Sequence, residues 1–184
     1  ASSNFQTGIN MNAPFTVGLS PSGQFKIFTA ATTDLVIDVL GYYSTQANDS
    51  NGQGLLFNPL AHPVRLLETR SNPPSLPGCI KPGIRLQSQA AIYNLKATDI
   101  CESTGFSAAL AIVGNATTVS PAAQGFLTFW PSNVTRPNAA TLNFAAGVNF
   151  NRHFTVGLGT DGAFKIYALT STHLVVDVSG SFAP

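Results

Sequence analysis

The sequence predicts an all-β protein of β-sandwich-like modules, with one complete module and one present as a repeated half. Three observations carry this reading. Stretches such as "FTVGL", "QFKIF" and "AFKIY" alternate side-chain character with period two. Gly, Pro, Asn and Ser separate the apolar stretches at short intervals. No segment sustains an apolar period of 3.6 residues.

The elements follow in order along the chain. "FTVGLSPSGQFKIF" reads as two strands joined by the turn "SPSG", whose final Gly can take the positive φ that a hairpin needs. "LVIDV" is β-branched and nearly continuous, so it is expected inside a sheet. Residues 44–54, "STQANDSNGQG", lack bulky apolar side chains, and 44–63 is expected to link two units. "SNPPSLPG" is a proline-stiffened loop. "AAIYNLKAT", "AALAIVGNATTV" and "GFLTFWP" are further short strands. The chain then returns to "FTVGLGTDGAFKIY" and "LVVDV".

That return is an internal repeat. A shift of 139 positions lays Asn4–Tyr43 on Asn143–Phe182 without a gap, and about half the positions are identical. Phe15–Leu19 matches Phe154–Leu158, Phe25–Ile27 matches Phe164–Ile166, and Asp38 and Gly41 match Asp177 and Gly180.

"VRLLETR" at 64–70, "GFLTFWPSNVTRPNAATLNF" and "FKIYALTSTHLVVDVSGSF" resemble the opening, middle and close of a tandem β-repeat module of secreted actinobacterial and acidobacterial-type proteins. Its usual wording is "RLLDTR" at the start and "STHVVVDVxGYF" at the end; here Glu68 stands in place of the usual Asp. The resemblance covers Val64–Phe182, so 64–184 is expected to be a complete module. It implies an extracellular or cell-surface location and no particular reaction.

Residues 1–43 then correspond to the second half of a module, three strands with one apolar face, too few to be stable in water alone. Phe5, Phe15, Phe25, Ile27, Leu35, Ile37 and Val39 require cover. Two sources are open: the chain's own "GLLFNPLAHPV" at 54–64, or another subunit adding strands to an open edge and face. The second source predicts a heterologous contact that propagates into a polymer of the chain with itself.

Composition narrows the function. Charged residues are 9% of the chain and the net charge is +1, so the electrostatic footprint of a nucleic-acid binder is missing. No apolar run is long enough to span a bilayer, and "ASSNF" reads as a processed, secreted terminus. Cys79 and Cys101 are expected to form a disulfide, stabilising by ~3 kcal/mol in the chain-entropy view; two buried thiols are the alternative.

No catalytic or metal motif emerges. Asp38 with Lys26, and Asp177 with Lys165, read as cross-strand ion pairs on a solvated face, since a structural duty repeats with the module. His62, His153 and His173 lack a third ligand at useful spacing, and His153 and His173 correspond to Pro14 and Asp34. Glu68 between Arg65 and Arg70 reads as an ion pair anchoring the module's start rather than an acid–base centre. Asn48, Asn115 and Asn133 lie in glycosylation sequons. The expectation is a non-enzymatic structural subunit of a bacterial filament, sheath or surface layer, without cofactor. The rival is an adhesin or carbohydrate-binding module, with Trp130 and also Tyr42, Tyr43, Tyr93 and Phe129 stacking on a polysaccharide.

Overall fold

A computed structural model of the chain describes residues 7–43, 54–70, 85–88, 93–97, 106 and 108–184. Its strands are β1 (Leu56–Glu68), β2 (Tyr93–Lys96), β3 (Ala111–Val119), β4 (Gly125–Pro131), β5 (Leu142–Phe144), β6 (Phe150–Gly157), β7 (Ala163–Ala168) and β8 (His173–Ala183). They form two antiparallel four-stranded sheets, ordered β1-β8-β3-β6 and β2-β7-β4-β5. No α-helix occurs among the described residues. The expected all-β, sandwich-like fold is what the chain adopts.

The inner faces of both sheets make one core. Leu66, Ile112, Phe154, Leu174, Val176 and Val178 come from the first sheet, and Leu127, Phe129, Leu142, Phe144, Phe164 and Ile166 from the second. Phe129 on β4 bridges the two layers. Its ring centroid lies 5.1 Å from Phe154 on β6 and 5.7 Å from Phe164 on β7. Both spacings suit favourable aromatic contact.

Which strands pair is the decisive feature. The ladders are β1–β8, β8–β3 and β3–β6 in one sheet, and β2–β7, β7–β4 and β4–β5 in the other. Every one joins a strand of β1–β4 to a strand of β5–β8. The isolated bridge Leu86–Thr172 does the same, with Leu86 between β1 and β2 and Thr172 between β7 and β8. The two halves interleave like the fingers of two hands, so among the described residues neither half contains a ladder of its own.

This arrangement corrects several expectations. "FTVGL" and "AFKIY" do not form a hairpin, because β6 and β7 lie in opposite sheets. The turn between them is an arch across the sandwich, closed by Gly159 N–H to Ala163 O at 2.8 Å and Gly162 N–H to Gly159 O at 2.9 Å. Gly162 does take a positive φ, of 71°. Lys165 and Asp177 are likewise in different sheets and make no cross-strand pair; Asp177 pairs with Arg65 instead. The stretch expected as a linker to residue 63 already belongs to β1 from Leu56. Pro59 and Pro63 obscured that strand. It tolerates them because it is an edge strand whose register shifts between Pro59 and Val64.

"LVVDV" lies in the interior strand β8, between β1 and β3, as its continuous apolar character predicts. The matching "LVIDV" is a different case. Residues 7–43 carry no strand, although three were expected there. The interleaving supplies the reason. These residues correspond to β5–β8, and β5–β8 pair only with β1–β4.

A candidate assembly surface

The N-terminal repeat keeps the local geometry of its buried counterpart without its neighbours. Its turn is closed by Ser20 N–H to Gln24 O at 2.9 Å and Gly23 N–H to Ser20 O at 2.8 Å. Those are the bonds of the arch at 159–163, shifted by one repeat. Gly23 has φ 75° against 71° at Gly162, and Gly8 has 72° against 67° at Gly147. Phe15 and Phe25 lie 6.1 Å apart and touch each other, whereas their counterparts Phe154 and Phe164 each contact Phe129. Local sequence alone therefore builds the arch.

Burial separates the copies. Phe15 is 49% exposed where Phe154 is 2%, Ile27 is 52% where Ile166 is 0%, and Val39 is 82% where Val178 is 0%. Phe25, Leu35 and Ile37 are also exposed, whereas Phe164, Leu174 and Val176 are buried. Phe5 lies outside the described residues. The segment 54–64 does not cover this face, because from Leu56 it is committed to β8. Burying these side chains to the level of the second copy is worth of order 10 kcal/mol in hydrophobic free energy, before ordering costs.

Asn12 ties the repeat to the folded module through three hydrogen bonds. The Asn12 carboxamide lies along the open edge of β5, donating to Thr141 O at 2.7 Å and accepting from Asn143 N–H at 2.9 Å. A side-chain amide thereby imitates a neighbouring strand's peptide group. Arg152 donates to the Asn12 carbonyl at 2.8 Å.

The charged cluster at the module's start is structural. Arg65 grips Asp177 with two nitrogens, at 2.8 and 3.1 Å, and reaches Glu68 at 2.8 Å with a third. Arg70 closes on Glu68 from the other side, with Nε 2.7 Å from Oε1. Burial pushes the Glu68 carboxyl up, but hydrogen bonds and charge from Arg70, then the charge of Arg65, outweigh it and hold it below the ordinary carboxylate range. Two cations and two anions balance, which leaves no net charge for a ligand. At the arch, the Ser132 hydroxyl and the Ala163 N–H hold the Asp161 carboxylate below its usual range.

The remaining candidates separate. Trp130 is 3% exposed, and its indole N–H donates to Val134 O at 3.1 Å beneath the loop that follows β4. Its ring face is therefore closed to a sugar, against the stacking role proposed from sequence. Phe129 is core, while Tyr42 and Tyr43 are exposed. Asn115 is exposed in β3 between His153 and Asp177, and Asn133 is exposed just beyond β4. The Cys79–Cys101 pairing and Asn48 fall outside the described residues, as does the side chain of Tyr93. His153 is exposed on β6, and His173 Nδ1 lies 2.8 Å from Thr69 O. Among the described residues no group of His, Cys, Asp and Glu is placed to hold a metal ion.

No protein-family model, curated protein or solved structure matches the chain.

Proposed function

We propose that this protein is a non-enzymatic structural subunit of a secreted bacterial filament, sheath or surface layer, joined to its neighbours by completion of the half-module at its N-terminal end. The observation that carries the reading is the contrast between the copies. A run of apolar positions is buried in the second and open in the first, although both hold the same turn. A sequence kept apolar on a face that its own chain leaves uncovered suits a face covered by something else. Low charge density and abundant Ser, Thr and Asn fit close packing outside the cell. The resemblance to tandem modules of secreted bacterial proteins points the same way. The sugar-binding alternative loses its best platform with the burial of Trp130.

The test is electron microscopy of the material in its native state, paired with limited proteolysis. Fibres or sheets in which residues 15–43 resist trypsin and chymotrypsin support the proposal. Dispersed particles with 15–43 readily cut contradict it.

A further inference from the structure

Resting on that reading, we infer that the occupant of the 7–43 face is a first-half segment with the pattern of β1–β4, supplied from outside these 184 residues and not already filled by a β5–β8 of its own. In this sandwich the ladder partners of β5–β8 are all in β1–β4, and the N-terminal repeat corresponds to β5–β8 almost residue for residue.

The repeat preserves residues whose counterparts act on the first half. Gly180 leaves room for the Phe57 ring of β1: a Cβ there would lie 2.5 Å from that ring and 2.9 Å from Asn58 O. Gly41 retains the glycine, yet a Cβ on it would meet nothing within 4 Å. Asp177 receives the Arg65 guanidinium from β1; Asp38 retains the carboxylate. Asn149 Oδ1 accepts the Ser120 N–H that follows β3 at 2.9 Å; Asn10 retains the amide. Phe154 and Phe164 both contact Phe129 of β4; Phe15 and Phe25 retain the two rings and, without that partner, contact each other. The N-terminal repeat thus carries the imprint of β1, β3 and β4 without the strands.

These 184 residues hold one first half and two second halves. In a second copy β1–β4 are already filled by that copy's own β5–β8. If 7–43 invaded them, one β5–β8 would be released for each 7–43 taken up, and no ladder would be gained. A lasting partner must therefore bring an unfilled first half.

The experiment adds such a half to the full chain. Residues 54–139 are joined directly ahead of Ala1, so that Ala1 takes the place of Ala140 and the spacing of the complete module is reproduced. Trypsin and chymotrypsin are expected to cut the 184-residue chain at Lys26 and Phe28, and these bonds become resistant in the extended chain. Gly41→Val in the extended chain restores cutting at Lys26 and Phe28 and leaves 142–183 protected. Cutting that persists in the extended chain without Gly41→Val overturns the inference. So does the unextended chain protecting 15–43 by self-association at high concentration, which would make a second copy the occupant and leave the filament proposal standing. Protection in the extended chain together with native material that forms no fibre supports the inference and removes the filament proposal alone.

Discussion

The substitution Gly180→Val places a side chain where the structure has none to spare, and its effect depends on whether Gly41 is intact. A Cβ at 180 would stand 2.5 and 2.8 Å from two carbons of the Phe57 ring and 2.9 Å from the Asn58 backbone oxygen. The exposed ring can swing away, giving up its contact with Phe182 at 5.3 Å, but the strand backbone cannot. Overpacking of this kind costs about 1–3 kcal/mol, so about 2 kcal/mol is a fair value for seating β8 on β1. That is a factor of about 30 in favour of any competitor for the same place. The N-terminal repeat is such a competitor, because Gly41 would meet Phe57 as Gly180 does. In Gly180→Val alone, 7–43 can replace β5–β8 and the measured loss is small. Gly41→Val alone alters stability by a few tenths of a kcal/mol at most, since nothing lies near it. The double variant has no unhindered insert and loses the full ~2 kcal/mol. Urea unfolding followed through Trp130, the chain's one tryptophan, reads this as a midpoint shift of about 1 M for the double variant. Equal destabilisation of Gly180→Val with and without Gly41→Val would refute the claim that 7–43 fits the β1–β4 template.

Other expectations rest on the module itself. Glu68→Gln removes a carboxylate held between two guanidiniums and is expected to cost about 1–3 kcal/mol at neutral pH, measured by urea titration. Because the folded Glu68 carboxyl lies below its ordinary value of 4.5, its contribution is fully present above that pH and lost as pH falls through the lower folded value. Thermal melts from pH 6 to pH 3 should therefore show a weaker acid loss in the Gln variant. Phe129→Ala opens a cavity between Phe154 and Phe164 and should cost about 3–5 kcal/mol, read by the same urea titration. Asn12→Ala should change stability by less than about 1 kcal/mol while accelerating amide exchange at Asn143, whose N–H then lacks its acceptor.

Much of the fold is legible in residue patterns, and the illegible part has a common physical origin. Alternation in "AFKIY" and "GFLTFWP", and the β-branched run in "LVVDV", mark β7, β4 and β8 because these features depend on neighbours in sequence. Partner choice depends on residues far away. A Gly with positive φ serves a hairpin and an arch equally well, so "GTDG" does not reveal that its flanking strands enter different sheets. For the same reason Lys165 and Asp177 looked like neighbours when the cation opposite Asp177 is Arg65, in the first half. The three-residue β5 is too short to show a period. Trp130 resembled an exposed platform because the loop that buries it is polar. The uncovered repeat was readable, since self-similarity at one offset exposes a unit without its complement. The inference that a first half is its complement needs the interleaved ladders, which no single stretch of sequence displays.

Residue-resolved amide hydrogen exchange in the 184-residue chain at low concentration is the most direct test. Slow exchange is expected across Leu174–Val178, which ladder with β1 and β3, and fast exchange across the matching Leu35–Val39. Comparable protection of both stretches in a monomer would mean that the repeat finds its ladder within its own chain, and the dependence on an outside first half would be wrong.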